Sequence, residues 1–152
     1  PNILRVSVFD TASGGIAQDS LVQFACDIDD MTGEELGAAV DRLRAMDGVI
    51  DLLMLNGQGK KSRPVTRLEL LVQPQEADAV AAQVFDLTST LGLRRSLVDR
   101  FILARESDDS GPLRRKRATR PGGHETVKVE SDDLADAETL HDRRKRARAS
   151  EG

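Results

Sequence analysis

Apolar residues recur along this chain in two rhythms. Residues 21–28 alternate, with Val22, Phe24, Cys26 and Ile28 on one side, the period of two that marks a half-buried strand. Residues 36–46 change to helical spacing, where Leu36, Val40, Leu43 and Met46 share one face. Thr32 and Glu35 stand in the S/T-x-x-E arrangement that satisfies free amides at a helix start. Gly48 follows Asp47 where a helix end needs a left-handed residue. Residues 49–55 form a second strand candidate. Residues 65–73 alternate again, with Leu68, Leu70 and Val72 opposed to Arg67, Glu69 and Gln73. Pro74 ends that strand and opens a second helix, whose apolar stripe is Ala77, Val80, Ala81, Val84 and Phe85. Residues 93–104 make the last strand of this region. Ile3, Val6, Val8 and Phe9 suggest a leading strand closed by a polar turn over 10–15.

From residue 21 the order is β-α-β-β-α-β, the split βαβ or ferredoxin-like plan of an α+β domain. Right-handed crossovers set both helices on one face of the sheet. The stretch NGQGKKSRP at 56–64 has two Gly and one Pro and is expected to be irregular loop. Past residue 105 the periodicity weakens. A polar linker or hairpin loop over 107–112 is followed by a hairpin of 113–119 with 125–130, turning at PGGH with Val127 and Val129 facing inward. Ser131 or Asp133 then caps a final helix running to about Ala149. The expected organisation is a ferredoxin-like core over 1–105 and a charged extension over 106–152.

Composition narrows the function classes. Only 3% of the 152 residues are aromatic, four Phe with no Trp or Tyr. Readers of single-stranded nucleic acid rely on aromatic stacking platforms, so this shortage argues against that class. A net charge of −4, from 22 basic and 26 acidic residues, offers no global attraction to a polyanion. The basic runs at 114–117 and 143–148 have acidic flanks, so their fields partly cancel. A single cysteine, Cys26, excludes an internal disulfide, and as the apolar face of its strand it is expected to be a core thiol. No apolar run approaches the ~18 residues of a membrane span, and no signal peptide is visible, so a cytoplasmic setting without a membrane partner is expected. The chain opens on Pro1, which suggests a fragment or excised domain.

Three constellations carry candidate chemistry. Asp27, Asp29 and Asp30 crowd the end of a strand just before a capped helix, and oxygen donors of this kind suit a hard divalent cation. Asp29 or Asp30 is also explained by the favourable charge at a helix N-terminus. Lys60, Lys61 and Arg63 sit in a Gly-containing loop whose amides and cations suit phosphate, although the order is not that of a Walker loop. On composition alone, an ordinary solvated hairpin with a basic tip is the more common outcome. Thr88, Thr90 and Arg94 follow the second helix and suit an anion pocket, or simply a helix stop and strand start.

In order, the runs IDDMTGEELG (28–37), KKSRP (60–64) and TSTLGLR (88–94) resemble the C-terminal domain of the LarC family of nickel-insertion proteins. PNILRV at the start resembles the segment where that domain begins. The resemblance covers residues 1–105 well and 106–152 poorly. It implies CTP-dependent insertion of nickel into the pyridinium-3,5-bisthiocarboxylic acid mononucleotide, with CTP cleaved to CMP and pyrophosphate and a carbon–nickel bond formed. It implies that this domain binds CTP with Mg or Mn and forms homo-oligomers. Nickel is handled mainly by a histidine-rich N-terminal domain, in keeping with only His124 and His141 here. By motif, Asp29 and Asp30 become the metal ligands, and Lys60, Lys61, Arg63, Thr88, Thr90 and Arg94 the CTP phosphate contacts. The chain departs from the family pattern at Ala25, Asp27, Ser62 and Leu87. It is therefore expected to bind nucleotide without completing a nickel chelatase (lyase) reaction alone. A non-catalytic ferredoxin-like regulatory or assembly module for a small anion is the alternative, and a basic-tailed nucleic-acid binder ranks last.

Overall fold

β1 (Ile16–Ile28) carries the alternation seen in the sequence, with Val22, Phe24, Cys26 and Ile28 buried and the residues between them half-buried or exposed. The structure is a computed structural model that describes residues 16–109 and 111–151; the leading strand expected over 3–9 lies outside them. By packing, the chain divides into two units, one over Asp19–Arg100 and the other containing Phe101 onward.

In the first unit β1 is followed by α1 (Gly33–Arg44), β2 (Val49–Gln58), β3 (Pro64–Val72), α2 (Ala77–Leu87) and β4 (Arg94–Leu103). The strand order β2-β3-β1-β4, with β1 and β2 both antiparallel to β3, is the ferredoxin-like arrangement. The capping box forms as the spacing demands. The Glu35 amide donates to Thr32 Oγ1, and the Thr32 amide donates to Glu35 Oε2 at 2.8 Å. The bond from the Thr32 amide, and after it the Thr32 hydroxyl donating to Oε2 at 2.9 Å, hold the Glu35 carboxyl below its usual range. α1 stops at Arg44, and the left-handed Gly48 (φ +82°) turns the chain into β2. A side chain at Gly48 would meet Glu76 Cβ at 2.5 Å, so the position is closed to any other residue on two counts.

Leu36, Val40 and Leu43 of α1 and Val80 and Val84 of α2 pack with Val22, Phe24, Leu52, Leu68 and Leu70 into one core. Both helices therefore cover the same sheet face and leave the other face helix-free. Three local expectations change. β2 continues through Asn56, Gly57 and Gln58, because their backbone pairs with Thr66, Val65 and Pro64 and leaves only a short 3₁₀ turn, Lys60–Ser62, at the tip. Pro74 opens a 3₁₀ turn, Pro74–Glu76, before α2 begins at Ala77. Phe85 lies outside the core, 47% exposed, because the stripe that reaches the sheet runs through Val80 and Val84 to Leu87 and leaves Phe85 at its edge.

The second unit contains β5 (Arg105–Asp108), β6 (Arg115–Thr119) and β7 (Glu125–Val129), an antiparallel sheet in that order, followed by α3 (Leu140–Glu151). The expected hairpin gains β5 as a third strand, whose last two residues fall in the stretch expected to be linker or hairpin loop. α3 starts later than expected. Asp132–Leu134 forms a separate 3₁₀ turn, and Thr139 caps the helix, its Oγ1 accepting the Asp142 amide at 3.1 Å. Several cations of the charged runs pair within this unit: Arg114 with Asp133, Arg115 and Arg117 with Asp108, Lys116 with Glu130, and Arg146 with Asp136. No helix among the described residues is long and apolar enough to cross a membrane.

Candidate functional site

The helix-free face of the first unit's sheet is where strand alternation sends the polar residues. Pairing register places Asp27 directly opposite Arg67, and Arg67 directly opposite Leu55. Directly opposed residues of antiparallel strands share a face. Arg67 closes on Asp27 with two bonds, Nε to Oδ1 at 2.7 Å and Nη2 to Oδ2 at 3.1 Å. Arg94 of β4 reaches the same carboxylate, Nη2 to Oδ2 at 3.1 Å. One carboxylate thus holds two guanidiniums across three neighbouring strands.

Asp27 is held below the usual carboxylate range, chiefly by the hydrogen bonds from Arg67 and then by Arg94. Because the folded value is depressed, whatever this network adds to stability is complete above the ordinary Asp value. It is lost as pH falls through the lowered one. With the three side chains 36–58% exposed, that contribution is small.

Beside this row a cleft of about 510 Å³ is lined by Asp27, Asp29, Asn56, Gly57, Lys60 and Arg67, among others. Asp29 and Lys60 come from the loops that follow β1 and β2, which the hairpin register brings to the same sheet end. Arg63 Nη1 donates to Asp29 Oδ2 at 3.3 Å, a second exposed ion pair. The basic loop turns through Lys61 (φ 56°) and Ser62 (φ 58°), both left-handed. Two successive non-glycine residues in this region are strained by ~1 kcal/mol or more each. Ser62→Gly is expected to relieve that strain against a glycine entropy cost of ~0.5 kcal/mol. The result is a small rise in melting temperature, about 2 °C by calorimetry; a fall would show that Ser62 contributes contacts outweighing its strain.

The remaining sequence candidates are placed elsewhere. Asp30 turns away from the cleft, accepts a short hydrogen bond from the Ser89 hydroxyl, and lines a groove with Glu35, Arg42 and Asp86. Thr88 Oγ1 donates to Val84 O at 2.7 Å, and Thr90 Oγ1 donates to Gly92 O at 3.0 Å, so both hydroxyls shape the loop after α2. Lys61 stands at the tip and is not part of the cleft lining. Cys26 is buried on the helix side, where desolvation raises its thiol pKa. The residues not foreseen are Arg67, Asn56 and Gln58. Arg67 was legible as the polar phase of β3, but its partner required the register.

The donor set is all oxygen: Asp27, Asp29 and the amide of Asn56. Among the described residues no group of three His, Cys, Asp or Glu gathers to hold a metal by itself. One or two carboxylates together with phosphate oxygens and water is the ordinary way a magnesium ion is bound. The cleft therefore fits a cation brought by a polyphosphate and does not fit a protein-only cage.

The family model described as nickel insertion protein matches residues 1–144. The pyridinium-3,5-bisthiocarboxylic acid mononucleotide nickel insertion protein of Akkermansia muciniphila is 34% identical over 107 residues, 70% of this chain and 26% of its own length. Among solved structures, LarC2, the C-terminal domain of a cyclometallase involved in synthesis of the NPN cofactor of lactate racemase, superposes with a TM-score of 0.77. It is 28% identical, over 88% of this chain and 96% of that one. A Methanopyrus kandleri protein follows with a TM-score of 0.64 and 27% identity, over 80% of this chain and 78% of that one. The chain spans about a quarter of the length of the first curated relatives it matches, 23–27%.

Proposed function

This chain belongs to the nickel insertion protein family and corresponds to its C-terminal domain, and on that premise we propose that its sheet carries a CTP site. The supporting observation is that Arg67 and Lys60 line one cleft with Asp27 and Asp29, while Arg94 and Arg63 are ion-paired to those two carboxylates. In the free protein the guanidiniums are held by carboxylates. A triphosphate offers stronger, forked partners for those guanidiniums. As the guanidiniums turn to phosphate, Asp29 and Asp27 are released toward the divalent ion, magnesium or manganese, that escorts the nucleotide. Their chemistry is the positioning and charge neutralisation that phosphoryl and nucleotidyl transfer require. Lys61 at the loop tip and Arg63 close over the phosphates, Thr88 and Thr90 hold the shape of the loop leading to Arg94, and Asp30 fixes that loop through Ser89.

Nickel is the cargo, and the pyridinium mononucleotide its acceptor. The complete insertion, with nickel delivered by an N-terminal domain and the work carried out in a homo-oligomer in the cytoplasm, belongs to the full-length protein. Nucleotide titration calorimetry with magnesium tests the assignment. CTP is expected to bind at least 10-fold more tightly than ATP or GTP, and Lys60→Ala to weaken CTP by about 5–10-fold. Equal affinity for the three nucleotides would instead fit a regulatory module for small anions. Unchanged CTP affinity in both Lys60→Ala and Asp29→Ala removes the cleft from consideration.

A further inference from the structure

The second unit's sheet takes no part in that reading, yet it gathers charge on one face. Register sets Arg105 opposite Ala118, and Lys116 opposite both Ser107 and Lys128. Arg105, Lys116 and Lys128 therefore project to the same side. Arg120, just past β6, has the same parity as Lys116. These four cations line a cleft of about 720 Å³ that also includes Ala118 and Phe101, whose ring is 75% exposed.

Elsewhere in this unit Arg114, Arg115, Arg117 and Arg146 are matched to carboxylates, and Arg143 donates to Ser131 O at 3.0 Å. In the cleft only Lys116 has an ion pair, with Glu130 at 2.5 Å. Arg105, Arg120 and Lys128 have none among the described residues. Glu151, the acid in the lining, accepts the Val129 amide at 3.2 Å. Like charges directly opposite on neighbouring strands are destabilising, so Lys116 beside Lys128 is an arrangement that folding alone does not favour. An anion between them would reverse its sign.

We propose that this cleft binds a pyridinium-type mononucleotide, with its phosphate and acid groups on Arg105, Arg120 and Lys128 and its flat ring against Phe101. The inference rests on the family reading for the choice of ligand, the mononucleotide acceptor of nickel, but its geometry is independent of the CTP cleft. A volume of ~720 Å³ accommodates a ligand of this size. An extended nucleic acid is disfavoured by the balance of 11 basic and 11 acidic residues over 106–152.

Calorimetry of the whole 152-residue chain with nicotinic acid mononucleotide as the probe decides the matter. One saturable site is expected, persisting when CTP is present in excess. The Arg105→Ala/Lys128→Ala double variant should weaken the probe at least 10-fold, and Arg120→Ala about 5-fold. Arg67→Ala should leave it unchanged. Lys128→Ala should at the same time melt no lower than the parent protein, because it removes a like-charge pair. Should the double variant prove unfolded by circular dichroism, the Arg120→Ala result carries the test. Absence of probe binding, displacement of the probe by CTP, or dependence on Arg67 overturns the proposal. So does salt-steep binding of an oligonucleotide with no saturation by the probe. If CTP fails to bind but the probe still responds to Arg105 and Lys128, the CTP site falls and this one stands.

Discussion

Leu70→Ala is expected to cost about 2–5 kcal/mol, the usual range for truncating a buried leucine. Leu70 has no solvent exposure and lies on β3, between β1 and β2, directly opposite Phe24 and Leu52. Neighbours on two strands and two helices fix the walls of the space it fills, so little collapse can offset the cavity. Against a total stability of ~5–15 kcal/mol for a domain, that loss is a large fraction. Leu97→Ala on β4 is the matched control. Leu97 is 67% exposed, and its removal should change stability by less than about 0.5 kcal/mol. Urea midpoints for the two variants give the comparison. A loss below 1 kcal/mol for Leu70→Ala would mean that the helices do not clamp this sheet face as described.

Arg67→Ala should produce the largest change in ligand binding. Hydrogen bonds to charged groups contribute about 1.5–3 kcal/mol, so CTP affinity with magnesium is expected to fall by ~10- to 100-fold. Asp27→Asn should act in the opposite direction when no metal is present. It removes the counter-charge of both Arg67 and Arg94 while keeping the side chain's size, leaving two guanidiniums free to meet phosphate. Metal-free CTP is then expected to bind more tightly, and addition of magnesium to help less than in the parent protein. The contrast matters because a purely structural role predicts the same sign for both substitutions. If Arg67→Ala leaves CTP affinity unaltered, the row across the sheet is a surface ion pair and nothing more. Acidification is not a substitute for Asp27→Asn near neutrality. The Arg67 hydrogen bonds keep that carboxyl ionised to below its ordinary range.

Much of the fold was legible because local chemistry and tertiary demand agree. The Thr32–Glu35 capping box is contained in four consecutive residues, and it forms as read. The alternation of residues 65–73 is likewise a property of the chain, and β3 follows it with Leu68, Leu70 and Val72 all fully buried. Where the reading failed, the deciding partner was distant in sequence or energetically modest. Asn56, Gly57 and Gln58 have poor strand propensity, but pairing with residues 64–66 makes a strand of them. At 131–139 several polar residues are competent caps, and Thr139 wins because the acidic Asp142 completes its hydrogen bonding.

The candidate site shows the same division. Asp29, Lys60, Arg63 and Arg94 were found as loop or strand-edge charges, each with an ordinary structural account. Arg67 looked like any polar residue on the outer face of a strand. Its role as the partner of Asp27 comes from a register between residues forty positions apart. Asp29 and Asp30 are neighbours in sequence, yet their side chains line different grooves, because successive residues at a strand end point to opposite sides.

The sequence by itself determined the order of the first unit's main strands and helices, the helix-covered sheet face and the family, since periodicity, capping and motif order are written in short windows. Tertiary structure alone decided which charges meet. Cross-strand partners, the shared carboxylate of Asp27 and the unmatched cations of the second sheet depend on register. Register is set by the burial of a whole face, not by any local run of residues.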